Sequence, residues 1–209
     1  MIVNTVVLVQ AEFGLGQRAT ALALGSFGAG SMIAALLLPR LLDNIPDRQA
    51  MLAGAAMLVV GLFVGIAIRS FTLLLPLWFM LGLGYSLAQT PSGRLLRRSS
   101  QPEDRPALFS AQFALSHACW LITYPVAGWL GAKAGLPITF AALGVIAGIA
   151  VLFTTRLWPA QDPDEIEHIH EGLAPGHPHL AGAVPVGHGH SHVHAFVIDS
   201  HHPEWPSSA

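Results

Sequence analysis

The chain has 209 residues, of which 53% are hydrophobic and only 11% charged, and its net charge is −2 at neutral pH. A soluble domain carries about 25% charged residues, so this composition indicates a protein that folds in a lipid bilayer. A single cysteine excludes an intrachain disulfide, and the sequence offers no basic aromatic surface for nucleic acid and no nucleophile–base pair typical of an enzyme.

Charged residues divide the first part of the chain into apolar segments. Residues 1–10 are too few to cross a bilayer, and we interpret them as the end of a helix whose beginning is missing, with a free interfacial or re-entrant segment as the alternative. Longer segments of about 20 to 27 residues follow, each long enough for a helix that crosses about 30 Å of hydrocarbon. They cover residues 18–40, 48–69, 69–94, 107–132 and 133–156. The sequence therefore predicts an all-α polytopic membrane bundle of five full transmembrane helices plus the end of a sixth.

The basic residues predict the orientation of this bundle. Counted on alternate sides of the predicted helices, seven Lys and Arg residues lie on one side and three on the other. The positive-inside rule places the richer side in the cytoplasm, and the chain after Arg156 leaves from that side. We therefore expect an integral protein of the inner (plasma) membrane with a cytoplasmic tail.

The loop PRLLDNIPDR between the first two full spans places an acid and a base where helices end. Asp43 and Arg48 are close enough to pair or to cap neighbouring helix termini. The spans, this loop and a longer basic loop after the fourth span resemble the C-terminal half of a major facilitator superfamily transporter, whose loop reads Gly-x-x-x-Asp-x-x-Gly-Arg-Arg. Asp43 and Arg48 match the acid and the last base, while Pro39, Pro46 and Asp47 replace the two glycines and the first arginine.

This resemblance covers residues 1–156 and implies a partner as well as a fold. Transporters of the superfamily carry two six-helix halves with the substrate path between them. The resemblance therefore implies that the lipid bilayer and either the missing N-terminal half or a second copy are partners of this chain. It also implies that Asp43 and Arg48 form a gating loop, which latches helices together in one access state. We expect a fragment of a longer permease, with a natural half-transporter as the alternative.

Polar side chains at membrane depth mark the predicted transport path, because they should face the bundle interior or a water-filled path. His117 can bind a metal or carry protons, although an interhelical hydrogen bond is an equally simple role. Cys119 is better explained by packing. The candidates are His117, Cys119, Gln112, Ser116, Thr123, Tyr124, Gln89 and Asn4.

The composition changes after Arg156. Residues 157–209 hold seven acidic residues, ten of the eleven histidines and no Lys or Arg. We therefore predict a transporter half-bundle over residues 1–156 and a His-rich acidic cytoplasmic tail over residues 157–209. The tail has too little apolar surface to offset its ordering entropy, so we expect it to be mostly disordered.

The histidines of the tail predict a metal-binding segment. Between residues 188 and 194 every second residue is histidine, which places these rings on one side of an extended strand. Neutral imidazole suits nickel, cobalt and zinc, whereas calcium and magnesium prefer oxygen ligands. The predicted ligands are His168, His170, His177, His179, His188, His190, His192, His194, His201 and His202. A His-rich tail without bound metal is the alternative, and no cofactor is required.

This tail resembles that of the nickel- and cobalt-resistance permeases, which export the ion. The leading hypothesis is therefore proton-coupled efflux of a divalent metal cation, nickel or cobalt, as the transported substrate. Efflux of a drug or small organic metabolite is the second hypothesis. A metal-binding membrane module without transport, acting as a buffer or sensor, is the third.

Overall fold

Helices precede a small sheet in the computed structural model, which describes residues 2–160, 163, 165–174 and 176–205. The helices are α1 (Ile2–Val6, continued by the π-helix Val7–Glu12), α2 (Gln17–Leu42), α3 (Asp47–Ile66), α4 (Phe71–Gln89), α5 (Ser92–Arg98), α6 (Arg105–Ala134) and α7 (Leu136–Leu157). The strands are β1 (Glu165–His170), β2 (Val184–Val186) and β3 (Gly189–Ala195), with a 3-10 helix at Pro178–Leu180 before β2. The helical membrane fold predicted from hydropathy is confirmed.

The number of spans differs from the prediction. In the described chain, four helices are long and apolar enough to cross a membrane, and they are Gln17–Leu42, Asp47–Ile66, Phe71–Arg98, which joins α4 and α5, and Leu136–Leu157. The predicted span over residues 107–132 is present as α6, a helix of 30 residues. Polar residues such as Gln112 and His117 dilute its apolar character, so it is not among the four. The predicted end of a further helix corresponds to the short apolar helix Ile2–Glu12.

Glycines let α2 and α4 cross at backbone contact. A Cβ atom on Gly82 would overlap the backbone carbonyl of Phe27, and one on Gly30 would overlap that of Phe79. Small residues at such positions allow helices in a membrane to approach closely and to gain packing energy that lipid cannot supply. This crossing fixes the pair of helices around which the others pack.

Trp78 of α4 joins three helices in the core. Its side chain is 1% exposed, and its indole N–H donates to the hydroxyl of Thr5 in α1 over 3.1 Å. The ring meets Phe140 of α7 edge to face, with centroids 6.5 Å apart. Trp78 is central to the core because its large ring is buried and the only polar atom of that ring has a hydrogen-bond partner.

The described part of the tail is folded, which differs from the mostly disordered segment that we predicted. Its strands form an antiparallel sheet in the order β1-β3-β2. The aliphatic core that the composition lacks is replaced by histidine rings packed mostly edge to face, with Phe196 buried against two of them and Leu180 also buried. The packing of imidazoles and these two apolar residues supplies the contacts that order this segment.

The end of the tail is attached to the loop between α5 and α6. The backbone N–H of Ile198 donates to the carbonyl of Arg98 over 2.9 Å, and the Arg105 guanidinium donates to the carbonyl of Ile198 over 3.4 Å. The Arg98 guanidinium lies over the Trp205 ring at 5.2 Å. These contacts hold the sheet against one end of the helical bundle.

Candidate metal centre

Two strands place histidines on one face of the tail sheet. In β1, His168 and His170 are two residues apart and therefore point to the same face, as do His192 and His194 in β3. The antiparallel register sets His168 directly opposite His192. Alternation in both strands thus gathers four imidazoles from segments that are more than twenty positions apart in the sequence.

Two further histidines approach this face from outside the sheet. His179 comes from the 3-10 helix and His202 from the segment after β3, where its side chain is buried. The Nε2 atoms of His170 and His179 are 3.2 Å apart, as are those of His179 and His202, while those of His202 and His168 are 3.0 Å apart. The ligand atoms of these four residues and of His192 all lie within 4.8 Å of one another.

Hydrogen bonds on the outer side of the rings leave Nε2 free to bind a metal. The carbonyl of Ile166 lies 2.9 Å from Nδ1 of His168, and because a carbonyl only accepts, Nδ1 carries the proton. His202 donates from Nδ1 to the Asp199 carboxylate over 2.9 Å. Backbone N–H groups of His201 and His202 hold that carboxylate at 2.8 and 3.0 Å. Carboxylate and carbonyl partners of this kind orient metal-binding histidines and raise their basicity as ligands.

Burial and mutual repulsion favour the uncharged form of four rings of the centre. Desolvation, followed by repulsion from neighbouring imidazoles, lowers the pKa of His170 to about 4 and that of His179 to about 4. Desolvation also lowers the pKa of His192 and His202. Burial raises the pKa of Asp199, but hydrogen bonds from His201 and His202 outweigh this effect and lower it overall. The rings of His170, His179, His192 and His202 are therefore neutral at pH 7, which is the protonation state that ligates metals.

In the metal-free protein we expect His170 and His179 to stay neutral between pH 7 and about pH 5. Their lowered pKa values of about 4 mean that the unfolded chain takes up protons first, near 6.5. The fold of the tail should therefore have its full stability above pH 6.5 and lose it as the pH falls toward 4. NMR titration of isotope-labelled histidine in the full chain measures both midpoints, and titration of both rings near 6.5 would contradict the prediction.

The other predicted ligands lie around this centre. His177 accepts the backbone N–H of His179 at Nδ1 over 3.2 Å, and its ring lies 5.2 Å from that of His201. His188 is exposed, and His190 pairs with His170 across the two strands. Among the described residues, His177, His188, His190 and His201 are not part of the group whose ligand atoms converge.

The residues predicted for the transport path are distributed over several helices. Asn4 is buried, and its side-chain amide donates to the carbonyl of Ala127 in α6 over 3.2 Å. Gln89 is exposed at the end of α4, where its carbonyl accepts the Ser92 hydroxyl over 2.6 Å. Asn4 thus connects α1 to α6, whereas Gln89 belongs to a helix end.

The remaining path candidates lie on α6. Gln112 and Ser116 are half-buried, and Cys119 and Thr123 are exposed. The Thr123 hydroxyl donates to the carbonyl of Cys119 over 2.8 Å, so part of its polarity is satisfied within the helix. The predicted packing role of Cys119 finds no support in this exposed position.

His117 belongs to an aromatic row on the exposed side of α6. Its ring lies 3.8 Å from that of Phe113 and 4.8 Å from that of Trp120, which in turn stacks on Tyr124. Its Nδ1 lies 2.8 Å from the carbonyl of Phe113. A cavity of about 400 Å³ adjoins this row, with lining residues Ile2, Phe27, Leu58, Tyr85, Trp120, Thr123 and Tyr124.

The predicted gating loop is organised around Asp47 instead of Asp43. Asp43 is exposed, whereas Asp47 is buried and accepts a charged hydrogen bond from Arg94 over 2.9 Å. Arg48 donates to the carbonyls of Trp158 and Thr155 over 3.2 and 3.3 Å, so it caps the end of α7. The sequence allowed Arg48 either to pair with Asp43 or to cap a helix end, and in the structure it caps α7.

Sequence analysis did not predict the sheet, and it did not predict the roles of Asp199 and Trp120. The alternation Glu-Ile-Glu-His-Ile-His in β1 is a strand signal equal to that around His192, and pairing the two would have predicted the sheet. Asp199 has no comparable signal, because its role depends on the position of His202. Trp120 likewise has no signal in the sequence, because its role depends on the row of aromatic rings that it forms with its neighbours on α6.

The donor set fits a borderline transition-metal ion. Every converging group is an imidazole, and the carboxylate that contacts His202, that of Asp199, faces its Nδ1 and not its Nε2. Nickel, cobalt and zinc accept such nitrogen donors, whereas magnesium and calcium require oxygen. His168, His170, His179, His192 and His202 are thus the residues that could hold the ion.

The chain matches one family of known proteins over most of its length, including all of its helices from α1 to α7. No curated protein and no solved structure matches the sequence. A family model described as Major Facilitator Superfamily matches residues 1–190, which include all the helices from α1 to α7. Together with the membrane-spanning helices, this match shows that the chain belongs to the major facilitator superfamily of transporters.

Proposed function

We propose that this chain forms the C-terminal half of a proton-coupled exporter of a divalent metal cation, nickel or cobalt, and that its cytoplasmic tail collects the ion. The convergence of five imidazole nitrogens within 4.8 Å is the observation that supports a metal as the substrate. The partner half, supplied by a longer permease or by a second copy, completes the transport path beside α6.

Proton coupling is the simplest source of energy for this export. The sequence holds no phosphate-binding loop of the kind that ATP-driven pumps use. On the exposed side of α6, His117 is the ionisable side chain that the row of aromatic rings surrounds. A histidine in that position can exchange protons with a path between the two halves.

The experiment that tests the proposal compares metal accumulation in cells that do or do not carry the complete permease. We expect lower accumulation of nickel or cobalt in cells with the permease, and His117→Ala should abolish the difference. Phe113→Leu on the same helix serves as a control that keeps the ionisable ring. Equal accumulation with and without the permease would overturn metal export.

A second candidate, export of an organic solute, is favoured by a different observation. The cavity of about 400 Å³ beside α6 is lined mainly by apolar and aromatic side chains, among them Tyr85, Trp120 and Tyr124. Cavities of this size and composition suit small organic molecules. In that case the tail would have no part in choosing the substrate.

Truncation of the tail should separate the two candidates. We expect a permease that ends after Ala160 to lose metal tolerance, because the whole histidine centre is removed, while efflux of an organic solute should persist. This end point keeps the carbonyls of Thr155 and Trp158 that bind Arg48, so the cap of α7 is unchanged. Full metal tolerance after truncation would show that the tail is dispensable for export.

A further inference from the structure

Six histidine rings surround one point in the tail. The ring of His194 lies 4.7–5.0 Å from the rings of His168, His179, His192 and His202. Its Nδ1 donates to the carbonyl of Ala195 over 2.8 Å, which leaves the lone pair on Nε2. That Nε2 atom is buried and has no hydrogen-bond partner in the described part of the chain. A buried acceptor without a partner is costly unless a ligand satisfies it.

The arrangement of these six rings is that of an octahedron. Each ring centroid lies 4.7–5.2 Å from those of all the others except one. Among these six described rings, the three pairs out of ring contact are His168 with His179, His170 with His194, and His192 with His202. Every ring thus has one opposite partner, which defines an octahedron. A tetrahedral site has no opposite pairs.

The nitrogen separations agree with this arrangement. Two nitrogens bound side by side at about 2.1 Å from one ion lie about 3.0 Å apart in an octahedron and about 3.4 Å apart in a tetrahedron. The observed Nε2 separations between adjacent rings are 3.0–3.2 Å. These distances suit adjacent octahedral positions, and the pattern of opposite rings decides between the two geometries.

We propose that the tail forms a six-coordinate, all-imidazole site that takes an octahedral divalent ion, nickel before cobalt, in preference to zinc. Five of its ligands are the converging residues His168, His170, His179, His192 and His202. The sixth is His194, which joins them through its ring contacts and its unpartnered Nε2. Nickel precedes cobalt because affinity for nitrogen donors rises along this series. Zinc is disfavoured because it usually keeps four ligands, which would leave two of the six imidazoles unbound. This inference rests on the proposed metal-binding role of the tail.

His194 is the residue that separates a six-ligand site from a smaller one. We expect His194→Ala to lower the nickel affinity of the full chain at least about tenfold, because losing a ligand costs no less than losing a second-shell partner. Zinc affinity should change much less. His190→Ala is the matched control, since His190 lies on the same strand and face but outside the octahedron.

The coordination is read from cobalt and nickel bound to the full chain in detergent micelles, purified with a tag that contains no histidine. We expect the weak visible absorption of six-coordinate cobalt. The outer-shell X-ray scattering of imidazole around bound nickel should correspond to six rings in the parent and to five in His194→Ala. The intense absorption of tetrahedral cobalt would overturn the six-ligand site while leaving metal collection by the tail intact. Absence of nickel binding would overturn both.

Discussion

Replacing His202 with alanine is expected to lower the nickel affinity of the full chain roughly 100-fold or more, since this ring belongs to the inner ligand set. Its Nε2 lies 3.0 Å from that of His168 and 3.2 Å from that of His179, so its loss opens one side of the centre. The residue is 4% exposed, and its replacement by a methyl group also leaves a space that water enters. Calorimetric titration with nickel measures the effect.

Asp199→Asn provides the graded counterpart of this change. The amide keeps an oxygen that can accept from Nδ1 of His202 and from the backbone, but it removes the negative charge. We expect a nickel affinity about tenfold below that of the parent with the same number of ligands, as is typical of second-shell carboxylates. His188→Ala changes an exposed histidine outside the centre and should bind as the parent does. Equal losses of nickel affinity in His202→Ala, Asp199→Asn and His188→Ala would contradict the assigned metal centre and indicate non-specific binding to a His-rich chain.

The helices could be predicted from the sequence because the cost of charged groups in lipid marks their ends. The segment over residues 48–69 corresponds to Asp47–Ile66, and that over residues 133–156 to Leu136–Leu157. The segment over residues 69–94 is divided at Thr90 and Pro91, where α4 ends and α5 begins. Proline at the start of a helical turn has no N–H to offer to the preceding turn, which explains the break.

The metal centre could be predicted only in part. Alternation of histidines marks His192 and His194 as residues on one face of a strand, and this local signal needs no knowledge of the fold. His179 and His202 reach the same point through a 3-10 helix and a loop, whose paths depend on contacts such as that between Ile198 and Arg98. The composition predicted disorder because that argument counts the burial of aliphatic side chains and leaves out the packing of imidazole rings.

The crossing of α2 and α4 gives a prediction in which two substitutions of the same kind act in opposite directions. Gly82→Ala is expected to destabilise the folded chain by about 2 kcal/mol or more, because the new methyl group overlaps the backbone carbonyl of Phe27. Backbone atoms cannot rotate away as a flexible side chain can, so the helices must separate. Their separation would also disturb the mutual approach at Gly30.

Gly28→Ala is the matched control for this crossing. Gly28 also lies inside a helix, but a Cβ atom there meets no other atom within 4 Å. Alanine favours the helix over glycine by about 1 kcal/mol, so this variant should be as stable as the parent or slightly more stable. Unfolding of both variants by increasing mole fractions of denaturing detergent, followed by tryptophan fluorescence, measures the difference. If Gly82→Ala were as stable as Gly28→Ala, the close backbone contact between α2 and α4 would be contradicted. Side-chain contacts alone would then have to hold these two helices together.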